Sequence, residues 1–76
     1  MDFFIGQIIW VAYNFEINGF MLCDGRSLPI MQYQALFSLL GTKYGGDGRT
    51  VFNLPNLTTE SGSYQICING IYPARN

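Results

Sequence analysis

The sequence contains no histidine and few charged residues. Four Lys or Arg and five Asp or Glu make up 12% of the 76 residues, about half the usual share of charge in a soluble protein. Without histidine the chain lacks the commonest general base and metal ligand, which excludes Ser-His and Cys-His nucleophile pairs and histidine-containing zinc sites. Two cysteines alone do not make a structural zinc site. We therefore expect no enzyme, no metal site and no cofactor.

The sparse charges also exclude two classes of partner. The basic residues are scattered along the chain at Arg26, Lys43, Arg49 and Arg75, so they form no stripe that could follow a phosphate backbone. No apolar run approaches the roughly 18 residues of a membrane-spanning helix. The first residues also lack the positive region of a secretion signal. We expect no nucleic-acid partner and no membrane insertion.

Apolar residues are abundant instead. They make up 49% of the chain and aromatic residues 16%, a composition that argues against disorder. A chain of this length has room for one domain, residues 1–76, which buries only about 60% of the surface exposed by its unfolded chain. Because the few charged residues cannot cover the surface of a monomer, the composition favours self-association.

Hydrophobic patterning predicts strands near both ends of the chain. Residues 5–13 are rich in β-branched and aromatic residues, with apolar side chains on both alternating faces, so this strand needs cover on both sides. Asn18-Gly19 predicts a tight hairpin turn, with residues 20–23 as the returning strand. Residues 63–72 alternate in the manner of a further strand.

One helix is predicted between these strands. Leucines at helical spacing in residues 31–40 precede Gly41, a typical helix end, and Leu36 and Leu40 should face the core. A short strand is expected at residues 50–52. Together these elements predict a small, β-rich α+β domain with one short helix packed on an antiparallel sheet.

A glycine-rich loop follows the predicted helix: Gly45, Gly46, Asp47, Gly48 and Arg49. It lacks the GxxxxGK[ST] spacing of a phosphate-binding loop and follows a helix. We interpret it as a structural loop in which Asp47 caps neighbouring amides or pairs with Arg49.

A series of short motifs carries a resemblance to a known family. In chain order the motifs are Gly6-x-Ile8, Gly19-Phe20, Cys23-Asp24-Gly25, Ala35-Leu36-Phe37-Ser38-Leu39-Leu40-Gly41, Tyr44-Gly45-Gly46-Asp47-Gly48 and Phe52-x-Leu54-Pro55-Asn56-Leu57. Residues 6–57 thereby resemble the phage tail-collar family, which includes bacterial proteins described as microcystin-dependent. Residues 63–76 resemble the closing C-terminal strand of longer members. The chain looks like a miniature form without the family's glycine-rich middle.

The chain departs from the family pattern at two places. Ile17 stands where members usually carry proline, and Thr58-Thr59-Glu60 stands where they carry a basic stretch. Whatever that basic stretch contacts in relatives is therefore not expected here.

The resemblance implies a structural, self-assembling protein. It would be a collar or fibre component of a phage tail, a contractile injection particle or an extracellular filament, located on a particle or outside the cell. Its partners would be copies of itself, as a trimer or helical fibre, and other tail or baseplate proteins. The alternative is a small carbohydrate-binding module that presents Trp10, Tyr13, Tyr44 or Tyr72 to a glycan.

Three further expectations concern individual residues. The assembly interface should include the apolar side chains of Phe3, Phe4, Ile5, Ile8 and Trp10; the alternative is that this strand lies at the centre of the subunit's own sheet. An extracellular setting favours a disulfide between Cys23 and Cys67, with two buried thiols as the alternative. Asn56 begins an N-glycosylation sequon, and Thr58 and Thr59 could carry O-glycans.

Overall fold

Five short strands and one helix form the chain. The computed structural model describes residues 2–74. In chain order the elements are β1 (Ile8–Val11), β2 (Phe20–Leu22), β3 (Ser27–Pro29), α1 (Gln34–Leu40), β4 (Val51–Asn53) and β5 (Ser63–Cys67). All strand pairs between these elements are antiparallel. The predicted β-rich α+β fold with one short helix is confirmed.

The main sheet has β5 in its centre. Its strand order is β1-β5-β2, and Gln65, Ile66 and Cys67 of β5 are fully buried. The expected hairpin between β1 and β2 is therefore wrong. Asn18-Gly19 does form a turn, with the N–H of Phe20 donating to Ile17 O. However, β5 lies between the two strands and pairs with both of them, so its backbone is hydrogen-bonded on each side.

A second, two-stranded sheet lies beside α1. It pairs β3 with β4 in the register Leu28 opposite Phe52, and the helix connects these two strands in the chain. β4 confirms the short strand expected near residues 50–52, whereas β3 was not anticipated. Its three residues include Pro29, which is a poor strand former and hides the strand from pattern analysis.

The helix begins later than its pattern indicates. It spans Gln34–Leu40 instead of residues 31–40, and Tyr33 precedes it with non-helical angles and no side-chain cap. The N–H of Gly41 donates to Phe37 O and closes the last turn. Leu36 is buried as predicted, and Leu40 is partly buried against the core.

The core lies between α1, the second sheet and one face of the main sheet. Its buried members are Cys23, Leu28, Leu36, Phe52, Leu54 and Ile66. Strand register places Met21 and Ile8 on the same side of the sheet as Ile66. We call this side the front face and the opposite side, which carries Gln65 and Cys67, the back face.

The two cysteines are buried but not bonded to each other. The predicted disulfide between Cys23 and Cys67 is therefore not formed in this structure. The residue opposite Cys67 in the β2-β5 register is Phe20. Cys23 lies three residues beyond Phe20 along the chain. Three positions span about 10 Å, and an odd number turns the two side chains to opposite faces. Disulfides need Cα atoms within about 7 Å. The structure therefore favours the alternative of two packed thiols.

No helix within residues 2–74 is long and apolar enough to cross a membrane.

Candidate assembly surface

The outer edge of β1 is open. Cys67 N–H donates to Gln7 O. Gln7 and every second residue after it therefore turn their backbone N–H and C=O groups toward β5. Ile8 and Trp10 therefore turn their backbone N–H and C=O groups away from β5. Within residues 2–74 these outward groups have no hydrogen-bond partner. An unpaired strand edge is a template for pairing with another chain.

The free edge of β2 is closed by a side chain. A Glu16 carboxylate oxygen accepts from Leu22 N–H at 2.9 Å and pairs with the Arg26 guanidinium at 3.0 Å. Arg26 also binds Asp24 through two hydrogen bonds, and this contact holds the pKa of the Asp24 carboxyl below its ordinary value. An approaching strand would have to displace this cluster of three charges.

In the second sheet, one edge is covered and the other is interrupted by a proline. Ile30 N–H donates to Thr50 O. Because backbone groups along a strand point alternately inward and outward, those of Ser27 and Pro29 point away from β4. Pro29 has no N–H to donate there. On the other side, Asn53 N–H donates to Gly45 O and Val51 O accepts from Gly48. The glycine-rich loop thus covers β4.

Exposed apolar side chains lie beside the open edge on the front face. Ile8 is 38% exposed, Trp10 50% and Tyr64 37%, and register pairs Trp10 with Tyr64 across β1 and β5. The helix packs over Ile66 on this face but leaves these three side chains partly exposed, with the Trp10 ring lying against Gly62. We call Ile8, Trp10 and Tyr64 the edge stripe.

The residues predicted for an interface divide into two groups. Phe4, Ile8 and Trp10 are exposed. Phe3 instead packs edge-on against Phe20 with ring centroids 5.1 Å apart, and Ile5 packs against the core. Phe3 and Ile5 therefore have contacts inside the subunit, and the role of all five residues in assembly stays a prediction.

A second exposed apolar surface lies beside the helix. Phe4 and Ile71 pair in a parallel bridge, and the neighbouring Tyr72 shares a 2.6 Å hydrogen bond with Ser38 on α1. Leu39 lies beside Tyr72 in the same shallow hollow. We call the exposed side chains of Phe4, Leu39, Ile71 and Tyr72 the helix-side patch. Sequence reasoning assigned no interface role to Leu39 or Ile71, because each has apolar neighbours in the chain and resembles a core residue.

Asp47 organises the loop of residues 45–49. Its Oδ1 accepts N–H bonds at 2.9 to 3.0 Å from the backbone of Arg49, Thr50 and Val51, and its Oδ2 accepts the Thr50 hydroxyl at 2.8 Å. These bonds stabilise the carboxylate and hold the Asp47 pKa well below its ordinary value. The geometry shows amide capping by Asp47, with Arg49 taking part through its backbone.

Gln65 is the buried polar residue that sequence reasoning missed. Its Nε2 donates to Phe15 O at 2.8 Å and its Oε1 accepts Ile17 N–H at 3.0 Å. These bonds attach the segment before β2 to the back face of the main sheet. The alternation of β5 indicated a polar side chain here, but only the path of residues 15–17 shows why it is buried.

The hydroxyl-rich segment lies in the open. Asn56, Thr58 and Thr59 are exposed, and the Thr59 hydroxyl donates to Ser61 O at 2.7 Å. Nothing in this geometry blocks modification of Asn56 or Thr58, and glycosylation of these residues stays a prediction. Beside them, Leu57 and Tyr64 line a depression of about 220 Å³.

No group of three His, Cys, Asp or Glu side chains lies close enough within residues 2–74 to hold a metal ion. Burial, followed by the nearby Asp24 charge, raises the pKa of Cys23 to about 11, so this thiol is held in its unreactive protonated form.

Comparison with known families gives a match over most of the chain. The phage tail collar domain matches residues 6–61. The chain belongs to the phage tail collar domain family. No curated protein and no solved structure matches it significantly. Membership in the collar family indicates a structural role in a phage tail and an association with the virion.

The collar match has a structural consequence. It ends at residue 61, immediately before β5 (Ser63–Cys67), which is the central strand of the main sheet. The matched collar segment thus contains both outer strands of this sheet but not the strand between them. Residues that follow the collar segment complete its fold.

Proposed function

We propose that this collar domain is a self-assembling structural protein without enzymatic activity. It would form the collar or fibre of a phage tail, a related contractile injection particle or an extracellular filament, and would occur on such particles or outside the cell. The observation that carries the proposal is the open β1 edge with its edge stripe. A soluble monomer would expose this uncharged edge to aggregation.

The distribution of charge supports the same conclusion. Residues 3–15 contain no charged side chain, and this segment supplies β1, Phe4, Ile8 and Trp10. Stable interfaces concentrate aromatic side chains in their centres and deplete charge there. The edge stripe and the helix-side patch give each subunit two such surfaces, which a fibre requires.

Partners beyond the chain itself follow from the family. Tail or baseplate proteins are the proposed attachment partners. The exposed side chains of Asn56, Thr58 and Thr59 are the proposed positions of attached glycans.

The carbohydrate-binding alternative has less support. Tyr13 is stacked on Phe15 with ring centroids 4.4 Å apart, which occupies one of its faces. Tyr44 lies beyond the helix, and Tyr72 bonds to the helix itself. None of Trp10, Tyr13 and Tyr44 lines the depression beside Leu57 or the hollow beside Tyr72, so these aromatic side chains share no common cavity.

Negative-stain microscopy of the purified full chain tests the proposal. We expect rings, rods or fibres much larger than one subunit. A homogeneous field of particles at the size of a single small domain, combined with binding to a glycan array, would replace the assembly proposal with the carbohydrate-binding alternative.

A further inference from the structure

We propose that two copies of the chain pair β1 with β1 in antiparallel orientation across a two-fold axis. The two main sheets would then join into one continuous sheet. The inference rests on the proposed self-assembly and names the contact through which it begins.

A second copy is the occupant because β1 is the strand whose edge is left open. Within the part of the chain that the structure describes, Glu16 closes β2, Pro29 interrupts β3 and the glycine-rich loop covers β4. β1 is therefore the strand through which the backbones of two copies can pair. Residues 3–15 carry no charge, so bringing this segment against itself places no like charges opposite one another.

The alternation of β1 sets the register. Ile8 and Trp10 present the outward N–H and C=O groups, and the antiparallel pairing that uses both places Ile8 opposite Trp10 of the second copy. Ile9 then lies on the two-fold axis, opposite Ile9 of the second copy. Each of the two Ile8-Trp10 pairs exchanges both backbone bonds, which gives four hydrogen bonds between the copies.

The same register brings the two edge stripes together. Ile8 and Trp10 lie on the front face with Tyr64 behind them on β5. Directly opposite side chains share a face of the sheet, so Trp10 of each copy would cover Ile8 of the other. The side chains left uncovered by the helix would become the centre of the contact.

The two-fold contact closes on itself and gives a dimer. A fibre built from such dimers therefore needs a second contact, and the helix-side patch supplies a surface that the β1 pairing leaves free.

Cysteine cross-linking tests the register. In the proposed pairing the Cα atoms of Ile9 in the two copies are about 4.5 Å apart, within the range of a disulfide. Val11 lies on the same face, but its two copies are offset by four residues along the strand, about 13 Å. Mild oxidation should convert Ile9→Cys into a covalent dimer on a non-reducing gel and leave Val11→Cys uncrosslinked. Both native thiols are buried, so they contribute little background. No dimer with Ile9→Cys, or equal dimer with both variants, would overturn the pairing.

A charge at the edge tests the contact itself. Ile8→Lys should release the copies from one another. Met31→Lys is the control and should not, since Met31 is an exposed apolar residue that follows β3 of the second sheet. Light scattering gives the mass and circular dichroism confirms the fold. A folded Ile8→Lys protein with the wild-type mass would reject β1 pairing and leave self-assembly standing. A wild-type protein that is itself monomeric would reject the self-assembly on which the inference rests.

Discussion

At the scale of single residues, side-chain chemistry in this chain serves the fold. Asp47 holds the glycine-rich loop, Gln65 holds the segment before β2, and Glu16 closes a strand edge. Each uses its polar atoms on main-chain groups that the short strands and loops leave without partners. The few polar side chains thus replace the regular hydrogen bonds that a small β-rich domain cannot make everywhere.

Asp47 should make the domain less stable at acidic pH. Its folded pKa lies below the ordinary 3.8, so the unfolded chain binds more protons as the pH falls through that region and stability decreases. Asp47→Asn cannot accept the Thr50 hydroxyl through its amide nitrogen and should melt at a lower temperature near neutral pH. Because the wild-type advantage is lost on protonation, the difference between the two melting temperatures should shrink from pH 6 to pH 2. A difference that stays constant over this range would contradict the role of the charge.

The cysteines should both react as free thiols once the chain unfolds. Burial of both side chains and the raised pKa of Cys23, about 11, predict negligible alkylation of the folded protein at pH 8. In denaturant without reductant the intact mass should rise by two labels. An unfolded chain that takes up no label would show that the two sulfurs are bonded to each other.

At the scale of elements, the helix packs by one side only. Leu36 points into the core with 1% exposure, whereas Leu39, about one turn further on, is 39% exposed. Gly6 lies against both leucines and has a positive φ of 87°, a backbone conformation that favours glycine.

The two leucines should differ strongly in their contribution to stability. Leu36→Ala leaves a cavity between the helix and the main sheet and should cost roughly 2–5 kcal/mol, a serious loss for a domain of this size. Leu39→Ala removes a half-exposed side chain and should cost much less. Urea unfolding of the two variants measures the difference. Equal losses would mean that the helix is rotated relative to the sheet.

Strand neighbours are the part of the fold that the sequence could not supply. Local alternation identifies β1 and β5, and helical spacing identifies α1 and Leu36, because these patterns depend on nearby residues. The Asn18-Gly19 turn is equally compatible with a hairpin and with a third strand between its arms. The insertion of β5 depends on contacts about 50 residues apart, for which no local signal exists.

The same limit explains the errors at the candidate site. Cys23 and Cys67 are suitable in number and setting for a bridge, but only the β2-β5 register shows that they face opposite ways. The apolar character of Phe4, Ile8 and Trp10 is evident from the sequence. Which of their neighbours remain in the subunit, as Phe3 and Ile5 do, depends on the path of the chain.

At the scale of the whole molecule, charged side chains are unevenly distributed over the surface. Charge clusters at the β2 edge, where it prevents strand addition, and is absent from residues 3–15 at the β1 edge. In the proposed assembly, the β1 edge joins a second copy, whereas the β2 and β4 edges are closed to strand addition. Pairing through β1 is the simplest use of this uneven distribution, and it agrees with the family's structural role.

The molar mass of the full chain in solution tests this account most directly. Multi-angle light scattering across a micromolar concentration series should give a mass at an even multiple of the 8.6 kDa subunit, with larger species as concentration rises. A constant mass of one subunit throughout the series would contradict the proposal that this collar domain works by assembling with itself.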